Sequence, residues 1–170
     1  PQPAKPTDLF KALRQEDRFR SVLREGERLV GEWLALAHGT RYDLIHEPWV
    51  VFDLMRDHIR LTVDELGQRL NSQFTLPRLL HDDGPLAVED MLPLIASSGH
   101  GAQDEVEGAV WRVERKGKVD FLSKYVRPHK IDGCYLPEVS GKAPIWNWHP
   151  TEGNDDDFGP GMGARFQSPP

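Results

Sequence analysis

The chain has 170 residues, a length suited to one domain, with 21 Lys and Arg against 27 Asp and Glu and a formal net charge of -6. Hydrophobic residues make up 38%, but no apolar run approaches the ~20 that span a bilayer, and PQPAKPTD carries no secretory pattern, so no membrane role and a cytoplasmic location are expected. The single cysteine, Cys134, excludes a disulfide framework, and the acidic balance confines any nucleic-acid contact to a local patch.

Residues 1–7, with Pro1, Pro3 and Pro6, read as a flexible N-terminal segment, and 150–170 as a flexible tail rich in Gly, Pro and Asp. Residues 8–149 form one compact unit. Its first element, Asp8–Glu27, carries Leu9, Phe10, Leu13, Phe19, Val22 and Leu23 at helical spacing. Arg28–Leu36 and Trp49–Leu54 are short apolar runs bounded by turn residues, which predicts buried strands. Thr62-Val-Asp-Glu65 is a capping box opening a helix to about Asn71, and a second helix covers Leu86–Ala96, limited or bent at Pro93. Val106–Arg115 and Val119–Arg127 are predicted strands joined by a turn at Lys116-Gly117-Lys118. The fold class is α+β, a mostly antiparallel sheet with flanking helices.

Within those strands stand two carboxylates, Glu32 and Glu107, among bulky apolar neighbours. A buried carboxylate is costly unless it is paired, hydrogen-bonded or bound to a cation. Each has a glycine beside it, Gly31 and Gly108, which suits close approach of a ligand to the backbone. Either both acids serve a site, or both point to water at edge positions. In Trp49-Val-Val-Phe-Asp-Leu54, alternation puts Phe52 and Asp53 on opposite faces. Phe52 is then either a stacking platform for a base or ordinary core.

From Glu107 to Asp132 seven basic residues face four acidic ones, a local excess of three positive charges in an acidic chain. That reversal suits polyphosphate or a nucleic-acid backbone, although a solvated hairpin gives the same count. Lys124 interrupts the apolar strand Phe121–Val126, where an ammonium can meet a phosphate as a point charge. The seven histidines have no HExxH spacing, no Gly-rich phosphate loop is present, and the Gly159–Gly163 cluster belongs to the tail. Ser97-Ser98-Gly-His100 lacks the strand-to-helix elbow of a serine nucleophile.

Taken in order, GEW at 31–33, HGTRYD at 38–43, VVFDL at 50–54, EGAVWR at 107–112 and FLSKYVR at 121–127 resemble the ATP-dependent RNA ligases, members of the covalent nucleotidyltransferases. The resemblance covers about residues 16–130. It implies part of a ligase-type nucleotidyltransferase (ATP-grasp-like) domain that uses ATP and Mg²⁺ to seal a 5′-phosphate to a 3′-hydroxyl, on RNA rather than DNA. It also implies residue roles. Glu32 would contact the ribose or a metal-bound water, Phe52 would pack on adenine, and Asp53 would support that strand. Glu107 would help hold the metal, Lys124 would neutralise the α-phosphate, and Arg127 would assist; Glu107 and Lys124 are thus the catalytic candidates.

The family's nucleophilic lysine belongs to a KxDG motif ahead of the GE glutamate, and no KxDG precedes Glu32 in this sequence. The one KxDG, Lys130-Ile-Asp-Gly133, follows Glu107 and Lys124, the reverse of the family order. The expectation is a core incomplete for catalysis: a fragment, a chain whose lysine comes from another chain, or a non-catalytic relative. The alternative function is a nucleic-acid-binding or interaction module that uses the basic hairpin at 112–130.

Overall fold

A computed structural model describes residues 16–149 except 71, 97 and 98. The segments assigned to 1–7 and 150–170, the first half of the predicted N-terminal helix and Ser97-Ser98 lie outside the described residues.

Helix α1 (Glu16–Val22) ends before the predicted Glu27. The chain turns at Glu25-Gly26, where Gly26 takes a φ of 77° that favours glycine, and Glu27 is already strand. Strands β1 (Glu27–Trp33) and β2 (Trp49–Arg56) pair antiparallel, and β3 (Ile59–Arg60) extends the sheet beyond β2. β1 stops at Trp33 rather than Leu36 because another partner takes over. Ala37 donates to Ile145 and Asn147 to Ala35, both at 2.8 Å, and Leu36 bridges Trp146.

The capping box opens α2 (Val63–Leu70) in both directions. The Glu65 amide donates to the Thr62 hydroxyl at 3.3 Å, and the Thr62 amide donates to the Glu65 carboxylate at 2.9 Å. Helix α3 (Val88–Leu94) is shorter than predicted and carries Pro93 in its last turn, where the ring removes one amide donor. Strands β4 (Gly108–Arg115) and β5 (Lys118–Val126) form a separate two-stranded sheet. Their turn is the two residues Lys116-Gly117, with φ of 51° and 70°, the left-handed pair that matches strand twist in a tight hairpin. A short α4 (Pro137–Ser140) follows.

Helices α1 and α2 cover one face of the three-stranded sheet. Val22, Val51, Leu54, Leu66, Leu70 and Phe74 form the core, with Phe19 stacked on Phe74 at 5.6 Å. The hairpin attaches elsewhere, through the buried Asp53. Its carboxylate receives Arg112 from β4 and Arg60 from β3, while Arg112 also donates to the Leu61 carbonyl and Glu114 accepts from the Val63 amide at 2.8 Å. Trp111, on the other face of β4, donates to the Leu86 carbonyl at 2.9 Å.

The β1–β2 register corrects the expected alternation. Val30 pairs with Asp53, but the next residue, Gly31, pairs with Val51, so Phe52 is an extra residue in a bulge. Val51 and Leu54 both belong to the core face, which leaves Phe52 and Asp53 together on the opposite face. Glu32, paired with the buried Val50, lies on that same face. The glycines beside the two acids also serve differently from expectation. A Cβ on Gly31 would stand 2.4 Å from the Val50 carbonyl oxygen, and one on Gly108 would stand 1.9 Å from that of Tyr125. Each glycine therefore admits the partner strand's backbone.

Candidate active site

The β1–β2–β3 sheet presents Glu32, Phe52 and Asp53 on the face away from the helices, and the hairpin joins that face through the Arg112–Asp53 ion pair. Cross-strand partners share a face, so Arg112 and Leu122, Val110 and Lys124, and Gly108 and Val126 are turned the same way. That side carries Val110, Leu122 and Val126, all exposed, and Phe52 on the sheet is 40% exposed. The hairpin thus leaves apolar surface open on one side.

Charge collects at one end of it. Glu107 stands just ahead of β4 rather than within it, and Lys124 Nζ donates to its carboxylate at 2.6 Å. Neither member is buried: the side chains of Lys124 and Glu107 are 57% and 43% exposed. Glu32 is exposed as well. The two acids embedded in apolar sequence are therefore accessible, and the deeply buried acid is Asp53, 4% exposed. Glu32 and Glu107, 75 positions apart in the sequence, both lie within electrostatic reach of the Tyr42 phenol. Burial pushes that phenol up first, a hydrogen bond from Thr40 lowers it, and the two carboxylates raise it further.

The remaining candidates have structural partners. Asp53 is committed to Arg60 at 2.9 Å and to Arg112. Arg127 fastens the root of the hairpin: its amide donates to the Glu107 carbonyl at 2.9 Å and its Nε to the Val106 carbonyl at 3.0 Å. Much of the basic excess is likewise engaged, since Arg112, Arg115, Lys124 and Arg127 pair with Asp53, Asp120, Glu107 and Glu105.

Tyr42, within HGTRYD, is a residue that the sequence pattern alone does not single out. Its loop is held in place by backbone and charge. Tyr42 bridges Ala102, and the Arg41 guanidinium forks onto Asp104 at 2.7 and 3.1 Å while the Arg41 amide donates to the same carboxylate at 2.8 Å. Arg41 holds the Asp104 carboxyl far below the usual carboxylate range. A depressed folded value means that its stabilisation is complete above the unfolded value near 4 and is lost as pH falls below it. Asp104→Asn should therefore flatten the acid limb of unfolding below about pH 4 relative to the parent, as read by circular dichroism.

The family model described as RNA ligase matches residues 2–126, most of the sequence, and the chain belongs to the RNA ligase family. No curated protein and no solved structure matches the chain significantly. The antiparallel sheets with flanking helices are consistent with a partial domain of that family. Among the described residues no helix is long and apolar enough to cross a membrane.

Proposed function

We propose that the exposed face shared by Glu32, Phe52, Glu107 and Lys124 holds ATP with Mg²⁺ for adenylyl transfer in the joining of a 5′-phosphate to a 3′-hydroxyl of RNA, in the cytoplasm. The observation that supports this most is the accessible pair of Lys124 and Glu107, joined at 2.6 Å at the root of the hairpin. Phe52 offers a base its π-face, and Val110 and Leu122 offer further apolar surface. Lys124 supplies a point charge for the α-phosphate.

Glu32 and Glu107 give hard carboxylate oxygens that fit Mg²⁺. Among the described residues no group of three or more His, Cys, Asp or Glu could hold a metal ion. A pair of acids suits an ion that takes its other oxygens from the nucleotide and water. When bound, that ion neutralises charge on the phosphates. Asp53 and Arg127 act as framework, one joining the sheets and the other closing the hairpin root.

The chemistry of this reading is three transfers. A lysine amine attacks the α-phosphorus and pyrophosphate leaves; AMP passes to a 5′-phosphate; a 3′-hydroxyl then attacks that phosphate and AMP leaves. With no KxDG ahead of Glu32, no nucleophile is assigned among these residues, whose part is to hold and neutralise the nucleotide. Calorimetric titration of the chain with ATP, with and without Mg²⁺, tests this. Saturable binding that requires Mg²⁺ is expected, and no heat of binding at millimolar nucleotide in either buffer overturns it.

A further inference from the structure

Apart from the face proposed for the nucleotide, two histidines 54 positions apart meet edge to face, with ring centres 4.9 Å apart. His46 Nε2 lies 2.8 Å from His100 Nδ1, and His46 Nδ1 lies 2.6 Å from the Glu47 carbonyl oxygen. Both rings are half-buried. Beside them, main-chain bonds lay the 99–103 segment against the 41–43 loop: the Asp43 amide donates to Gly101 at 2.8 Å and the Gln103 amide to Arg41 at 2.9 Å. His100 and Gly101 both take positive φ, 59° and 68°. Glycine suits its place, since a Cβ there would stand 2.2 Å from the Asp43 carbonyl oxygen. His100 instead holds a left-handed backbone that a side chain disfavours.

We propose that His46 and His100 form a one-proton latch, which ties the 99–103 segment to the 41–47 loop and opens when both imidazoles are charged. Donor chemistry fixes the closed state. A carbonyl only accepts, so His46 Nδ1 carries a hydrogen toward Glu47, and in the neutral pair His46 Nε2 is a bare acceptor. His100 Nδ1–H then donates to it. One added proton, on His100 Nε2, leaves that bond in place and makes it charge-assisted. A second proton has only His46 Nε2 to go to. Two N–H groups would then face each other across 2.8 Å, and two cations would share a half-buried site, so the bond breaks. Burial, and then the neighbouring His46, pull His100 below the usual histidine range. A depressed folded value means that the latch contributes in full above the unfolded value near pH 6.5 and is lost as pH falls through the lower one.

The charged groups about the pair come from several elements. Glu47 is engaged by Arg18 of α1, the main chain of Asp43 meets Gly101, and a Cβ on Gly99 would meet the Arg78 side chain at 3.3 Å. Arg41 and Asp104 pair at the end of the segment, and Arg41 keeps Asp104 ionised at pH values where histidines titrate. With the latch open, His100 is released from its left-handed conformation, and the segment that leads to Asp104 and Glu107 loses part of its hold.

Amide hydrogen exchange on the whole chain, corrected for the intrinsic effect of pH, tests this at Asp43 and Gln103, whose amides bond across the junction. In the parent, their protection should fall about tenfold from about pH 7.5 to about pH 5. His46→Gln, whose carboxamide oxygen accepts a hydrogen bond and does not titrate, should keep its protection over that range. His100→Asn, which suits a left-handed backbone and takes no proton, should do the same. Protection that is flat with pH in the parent, or that falls as much in either variant, overturns the proposal. Two-bond nitrogen–proton spectra of the imidazoles give a check that needs no variant. At about pH 7.5 His46 should be the Nδ1–H tautomer, and an Nε2–H His46 overturns the latch.

Discussion

Asp53→Ala should lower the stability of the fold by about 3–5 kcal/mol, the cost of removing one partner from a buried ion pair. The carboxylate is buried and receives two arginines, Arg60 from β3 and Arg112 from β4. Its loss strands the mostly buried Arg112 guanidinium and releases the main side-chain link between the two sheets. The urea midpoint should fall with the slope unchanged. The double variant Asp53→Leu/Arg112→Met should recover part of the loss, because an apolar pair leaves no uncompensated charge. A shift below about 1 kcal/mol for Asp53→Ala would mean that Asp53 is not the joint described here.

Glu107→Ala should act the opposite way, on ligand rather than fold. Its pair with Lys124 is solvent-accessible, and exposed pairs contribute about 0–1 kcal/mol. The melting temperature should therefore barely move, whereas affinity for ATP in Mg²⁺ should fall about a hundredfold, or roughly 2.7 kcal/mol. The loss should be far smaller in Mg²⁺-free buffer, since removing an acid that faces phosphate without its ion relieves repulsion. Unchanged affinity in Mg²⁺ would remove Glu107 from the site. A collapse of the melting temperature would make the residue structural.

The strands and their pairing were legible because apolar periodicity and turn chemistry are local. Lys116-Gly117 announced its hairpin, and Thr62 with Glu65 announced α2. What stayed hidden was the bulge at Phe52, since strict alternation in Trp49–Leu54 gives no sign of an extra residue; only the approach of Gly31 to the β2 backbone reveals it. The end of β1 was equally unreadable, because Ala35–Ala37 switch partners to a segment more than 100 positions later. For the candidate site, the sequence pattern singled out the acids and Lys124, and what it could not read was their setting. Apolar neighbours along the chain suggested burial, whereas Glu32 is exposed and the Lys124 and Glu107 side chains are 57% and 43% exposed. The anchoring of the Tyr42 loop was equally hidden, because Asp104 and Asn147, which hold Arg41 and Tyr42, come from distant parts of the chain.

The hold of residues 143–147 on the 34–44 loop is written largely in main-chain atoms: Ala37 to Ile145, Asn147 to Ala35 and Leu44 to Asn147. Amide and carbonyl groups are common to nearly every residue type, so this clasp tolerates a change of spelling at most of its positions. Asn147 is the exception. Its side-chain oxygen accepts from the Tyr42 amide and its nitrogen donates to Leu34, both at 2.9 Å. The main-chain position of Tyr42 therefore hangs on a single carboxamide that no shorter or charged side chain can imitate.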